Sequence, residues 1–261
     1  KNADRLSISE KDAVAKKIRS YSVGAVEPKI MDPSVLYIDL ASYVYFNPNQ
    51  TRRSQEEIKQ IIYRTMETIN ASAEFNKFGG KFKYSKIGKV IDEAEPSITS
   101  NITKVKMRKN VTISLNQRFN YKICFGNRIN AQLETPTLET NGFKRADGGN
   151  QVFYLNDDGL GTIRLYYVTT DGSKQYIGGN WGNIDYTMGE VTINDLVITE
   201  VVNSTDNIIQ FSVTPESNDI VSLRETYLTL GIDNLVVNVI DDEISSGSNT
   251  SGTGVVPESS Y

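Results

Sequence analysis

The sequence predicts an α+β fold, with a small helix-covered sheet cassette followed by a β-rich hairpin domain or insertion. Three observations carry that reading. Ile58, Ile62, Met66, Ile69 and Ala73 recur at spacings of four, four, three and four, which keeps them on one face of a helix. The runs before and after that helix, Val35–Phe46 and Ile98–Arg108, are instead β-branched, aromatic or alternating, as strands require. From Val111 onward, short β-rich runs are separated by Gly, Asn and Asp turn signals, with no helical period until Ser222.

In chain order, Ser9 and Asp12 open a short helix through about Ser20, with Val14 and Ile18 four residues apart as its apolar stripe. It reads as a small lid or interface helix. Val23–Val26 is a brief extended piece, and the first long strand, Val35–Phe46, stops at Asn47-Pro48-Asn49, where proline lacks the N–H that a ladder needs. Ser54 with Glu57 three residues later has the capping-box pattern, so the long helix starts there and is expected to run to Phe75. Phe78-Gly79-Gly80-Lys81 then turns the chain, because glycine takes positive φ without a Cβ clash. Ser85–Asp92 reads as a one- or two-turn helix with Ile87 and Val90 or Ile91 inward, ended by Pro96.

Beyond this cassette, Val152–Leu155 and Thr162–Val168 flank a glycine-bearing connection, Asp171-Gly172 closes the next hairpin, and Asn183–Tyr186 and Glu190–Ile193 flank another. Leu235–Ile240 is the last strand. The expected organisation is an α+β cassette over residues 1–113, a β-rich domain or insertion over 114–215, a returning strand and helix segment over 216–244, and a flexible Gly/Ser/Thr/Asn tail over 245–261.

With 261 residues and 38% hydrophobic content, the chain can bury a sizeable core. Its net charge of -4 argues against general nucleic-acid binding, which shows as clustered Lys and Arg. Charge is nonetheless segregated. Asn76–Asn110 carries nine basic against three acidic residues, whereas Asp195–Glu243 carries ten acidic residues against Arg224 alone. Solvated faces explain this, as do unlike patches that meet between subunits and set their register. Cys124 is the one cysteine, so no disulfide forms within the chain and a thiol-reducing cytoplasm is the natural compartment. No run of 18 apolar residues is present for a membrane span. Lys1-Asn2-Ala3-Asp4-Arg5 holds no initiating Met and no signal region, which suggests a fragment of a longer protein.

Reactive constellations are scarce. The chain has no histidine, which excludes Ser-His-Asp and Cys-His arrangements, and one cysteine excludes all-thiolate zinc. Gly79-Gly80-Lys81 lacks the spacing and hydroxyl of a phosphate loop. Asn156-Asp157-Asp158-Gly159 offers oxygens but not the alternating acids of a calcium loop. Asp92, Glu93 and Glu95 form the densest carboxylate cluster, to be weighed as hydrolytic acids or as a solvated helix face. Trp181, with Tyr176 and Tyr186 nearby, either packs a hairpin or stacks on a sugar, the second being the mark of a glycan-binding, adhesin-like module. Neither a cofactor nor a metal is expected.

The order of Leu6–Asp12 opening a helix, Val35–Leu40, the helix Glu56–Asn76, Phe78-Gly79-Gly80 and Tyr84–Asp92 resembles the J-like baseplate wedge proteins of contractile-tailed bacteriophages. Within them it looks most like the C-terminal portion of the large wedge protein of T4-like phages. Residues 5–113 carry the resemblance, and 114–215 looks like an extra β-rich segment of the T4-like version. The resemblance implies a non-enzymatic virion protein of the tail baseplate, assembled in the host cytoplasm. It would self-associate as a homodimer or ring, join other wedge proteins around the hub, and take part in the rearrangement that triggers sheath contraction. From charge and hydropathy, no nucleic-acid partner and no membrane insertion are expected. Candidate interface residues are Val14, Ile18, Tyr176, Trp181 and Tyr186, with Ile58, Ile62, Met66, Ile69 and Ala73 as the core helix face.

Overall fold

The computed structural model describes residues 8–22, 27–28, 30, 33–72, 77–204 and 206–243. The chain divides into two units, Lys1–Ser34 and Val35–Tyr261. The first contains helix α1 (Ile8–Arg19), with Glu10 in its first turn and Lys16, Lys17 and Arg19 in its last, an arrangement that suits the helix dipole. The expected extended piece Val23–Val26 lies outside the described residues.

The second unit opens on β1 (Ser34–Phe46), in which buried and part-exposed residues alternate along almost the whole strand. Helix α2 (Gln55–Asn70) starts at the complete capping box of Ser54 and Glu57 and buries Ile58, Ile62 and Met66. It stops at Asn70, short of the expected Phe75, and Ala73 lies outside the described residues. The two-residue strands β2 (Lys77–Phe78) and β3 (Lys81–Phe82) flank Gly79, whose φ of 61° only glycine adopts at no cost. Helix α3 (Tyr84–Asp92) turns Ile87 and Ile91 inward and leads to β4 (Ile98–Thr112).

The remaining elements are strands and turns. They are β5 (Arg118–Cys124), β6 (Leu138–Thr140), β7 (Phe143–Lys144), β8 (Phe153–Asp157), β9 (Ile163–Val168) and β10 (Lys174–Ile177). After them come β11 (Gly182–Asp185), β12 (Glu190–Val197), β13 (Glu200–Val201), β14 (Ile208–Val213), β15 (Ile220–Val221), β16 (Thr226–Leu230) and β17 (Val236–Asp241). The three expected hairpins form as β8–β9, β9–β10 and β11–β12. The helical period expected from Ser222 is instead β16 and a short 3-10 turn at Ile232–Asn234.

The predicted fold class requires correction. The protein is mainly β and is organised by one 12-stranded mixed sheet, ordered β10-β9-β8-β6-β14-β4-β1-β16-β2, with β17 also paired to β1. No separate helix-covered cassette exists. The reason lies in two long-range pairings: β4 runs past β1 to pair antiparallel with β14, and β1 takes β17 as a parallel neighbour from the far end of the chain. Local periodicity reports what each segment becomes, but not which distant strand completes its ladder.

One face of this sheet is largely covered. Leu36, Ile38, Leu40 and Val44 of β1 and Val105 and Met107 of β4 pack with Ile58, Ile62, Met66, Ile87 and Ile91 of the helices in one buried cluster. Each such side chain contributes about 1.5–3 kcal/mol by leaving water. Towards β8 and β9 the same face is covered by a second, three-stranded sheet, β11-β12-β5. Lys109 of β4 and Cys124 of β5 interact there, and burial lowers the lysine's pKa. The opposite face, described next, is covered only in part: Arg108, in register with Tyr37, is buried against Asp233 of the 3-10 turn.

Candidate assembly face

The outward positions of β1 are Tyr37, Asp39, Ala41, Tyr43 and Tyr45, all less buried than the inward set. Register places them beside neighbours of similar character. Tyr43 lies opposite Ile102 of β4 and Asn238 of β17, Tyr45 opposite Ile240, and Ala41 between Lys104 and Val236. Ile102, Val236 and Ile240 are 55, 47 and 37% exposed, a degree unusual for aliphatic side chains that sit together on a sheet. The Lys104 ammonium stands 5.9 Å from the Tyr43 ring. An apolar and aromatic patch with a cationic edge thus covers the outer surface where β4, β1 and β17 meet.

The patch turns a corner at β17. Tyr43, Gln55, Glu56, Lys59 and residues 237–240 line a shallow groove between that strand and the start of α2. Among the described residues β17 has a sheet neighbour on its β1 side only. Gln55 Nε2 donates to Asp241 Oδ1 at 3.0 Å, and Tyr63 Oη donates to the Leu235 carbonyl at 2.7 Å, so α2 holds the strand at both ends.

Sequence reasoning selected other surface residues. Val14 and Ile18 lie on α1, 41 and 45% exposed. Tyr176, Trp181 and Tyr186 are not brought into one site. Tyr176 of β10 stands in register with Tyr166 of β9, which pairs in turn with Tyr154 of β8, and the Arg164 guanidinium lies 4.5 Å from the Tyr176 ring. Trp181 donates its indole N–H to the Ile177 carbonyl at 3.0 Å beneath the Arg145 guanidinium, 4.6 Å away. Tyr186 donates its hydroxyl to Asp157 Oδ2 at 2.7 Å in the interior. Sequence reasoning did not single out Tyr43, Tyr45, Ile102, Val236, Asn238 or Ile240, which make up the exposed patch. The signal for them was present in β1, whose outward positions 37, 43 and 45 are tyrosines and not charges.

The carboxylates singled out for chemistry are committed to protein donors. Asp157 is fully buried and accepts from the Thr137 and Leu138 N–H groups at 2.7 and 2.8 Å as well as from Tyr186. Burial, with this carboxylate, pushes the Tyr186 phenol well above its ordinary pKa. Asp158 accepts from the Leu160 and Thr162 N–H groups, at 2.8 and 2.9 Å. Asp92 accepts from Asn101 at 2.7 Å, Glu93 pairs with Lys89 at 3.5 Å, and buried Glu95 accepts from Ser97 and Thr51 beside Arg53. Each of these three acids thus has its own partners within the chain. Among the described residues no group of three His, Cys, Asp or Glu can hold a metal ion.

The segregated charges meet within the chain. Lys83 pairs with Asp219 at 2.7 Å, and the other Asp219 oxygen accepts from the Tyr84 N–H at 3.0 Å, capping α3 in place of Lys83, whose side chain makes no cap. Arg108 pairs with Asp233 at 3.1 Å. Both contacts join the basic stretch 76–110 to the acidic stretch 195–243.

The sheet thus has one largely buried face and, on the other, an exposed apolar and aromatic patch. Residues 34–110, spanning β1 to β4, match the family model described as baseplate structural protein gp6, C-terminal domain III. No curated protein matches the chain. The family match supports a structural role in a phage tail baseplate, and with it a place in the virion and contacts with other baseplate components.

Proposed function

We propose that the chain is a wedge component of a contractile-tail baseplate, of the J-like kind and akin to the C-terminal portion of the large T4-like wedge protein. It self-associates, links wedges into a ring around the hub, and takes part in the rearrangement that triggers sheath contraction. The observation that carries this reading is that the segment matching a baseplate structural domain, residues 34–110, is the one whose outward face bears Tyr43, Tyr45 and Ile102. Assembly interfaces bury such apolar centres inside polar rims, and Lys104, Ser100 and Asn238 provide the rim. Sedimentation equilibrium over a wide concentration range tests the reading. Reversible association, weakened by Ile102→Glu, is expected, and a monomer at every concentration overturns self-association.

A further inference from the structure

We propose that two copies of this chain pair through β17, strand against strand and antiparallel about Asn238, so that the sheet continues across the molecular boundary. This inference rests on the self-association reading above and assigns its surface.

Edge strands of stable proteins are protected by Lys, Pro, bulges, short length or a helix or loop that fills the space beside them, and α2 leaves a groove along β17. The strands at other margins follow that rule: β10 has four residues and carries Lys174, and β5 carries Arg118 and Lys122. β17 does not. Val-Val-Asn-Val-Ile-Asp contains neither Lys nor Pro, three of its six residues are valine, and its register with β1 runs from Ala41–Val236 to Phe46–Asp241 without a shift. It is an intact β template whose outer side opens on the groove beside α2.

A second copy is the occupant that fits. Side chains directly opposite in a ladder share a face, so a two-fold axis perpendicular to the sheet must pass midway between the two copies of one β17 residue. Centring it on Asn238 places Val236 opposite Ile240 of the second copy and Val237 opposite Val239. The exposed apolar pair Val236 and Ile240 then closes on itself, and the two Asn238 amides meet at the axis, where each offers a donor and an acceptor. Asp241 falls beside Leu235 of the second copy, so no acids oppose each other along the strand. The groove beside the strand carries no single-sign field to oppose a second copy, because Glu56 and Lys59 both line it and pair with each other at 3.8 Å.

The test uses the full chain and sedimentation velocity, with circular dichroism melting as a folding control. Asn238→Lys, at an exposed position, sets two ammonium groups together at the axis and is expected to shift the association midpoint at least tenfold upward in concentration without changing the fold. Asn238→Cys in a Cys124→Ser background is expected to yield a disulfide-linked dimer on mild oxidation, while Asp171→Cys in the same background does not. Association that persists in Asn238→Lys, with no cross-link through position 238, overturns this surface and leaves self-association standing. A parent chain that remains monomeric throughout overturns both.

Discussion

Arg108 Nε donates to Asp39 Oδ2 at 2.7 Å, and the arginine side chain has no solvent exposure at all. The same guanidinium reaches Asn110 at 2.9 Å and Asp233 at 3.1 Å and lies 4.5 Å from the Tyr37 ring. One cation therefore ties β1 and β4 to the 3-10 turn that joins β16 to β17. Removing one partner of a buried pair strands the other charge, at a cost of about 3–5 kcal/mol. Arg108→Met is expected to lower the unfolding free energy from urea titration by that amount, and the double change Asp39→Leu with Arg108→Met by clearly less.

Gly231 sits against this pair. A Cβ there would lie 1.8 Å from Asp39 Oδ1 and 2.9 Å from Arg108 Nη2, and neither group can retreat into solvent. Gly231→Ala is expected to destabilise by about 1–3 kcal/mol through overpacking, measured by denaturant unfolding. Gly172→Ala, with open space around its Cβ, provides a comparison in which only the backbone φ of 86° opposes the change.

The Tyr186 phenol donates into the fully buried Asp157 carboxylate. Tyr186→Phe is expected to cost about 1.5–3 kcal/mol, the range for a hydrogen bond to a charged group. Because the folded-state pKa of Tyr186 is raised, its contribution is complete below the unfolded value near 10 and is lost as pH rises towards the folded value. Stability should fall more steeply above pH ~10 in the parent than in Tyr186→Phe, as read from melting temperature.

Asp219 caps α3 from 135 residues away. Asp219→Ala is expected to cost about 0.5–1 kcal/mol, the lower part of the capping range, since the pair with Lys83 is half exposed and screened. Asp219→Asn, which keeps an acceptor, should recover part of the loss in thermal unfolding.

Asp171, in the β9–β10 turn, accepts from the Ser173 and Thr169 hydroxyls, which hold its carboxyl down to about 2. A depressed carboxyl pKa supports the turn above the unfolded value near 3.8, and that support disappears as pH falls through about 2. Carboxyl NMR titration should show this midpoint, and Ser173→Ala should raise it.

Local chemistry was legible in the sequence to the extent that it is local. Ser54 and Glu57 form the capping box that their spacing announces, and Ile87 and Ile91 point inward as their period requires. The strand Val35–Phe46 and the three hairpins follow from alternation and turn residues. The fold class did not follow, because it depends on β4 meeting β14 and β1 meeting β17, pairings that register alone decides. The contact patch was hidden for the same reason: Tyr43, Ile102 and Ile240 come from three separate strands. Trp181, singled out with Tyr176 and Tyr186 as a hairpin-packing or sugar-stacking aromatic, donates its N–H to Ile177 and has its ring beside Arg145.

The long strand β4 holds ten register partners on β1 and six on β14, along opposite margins of a single backbone. A tensile load entering by β14 and leaving by β1 must therefore slide entire ladders lengthwise, rupturing many bonds together instead of peeling them singly.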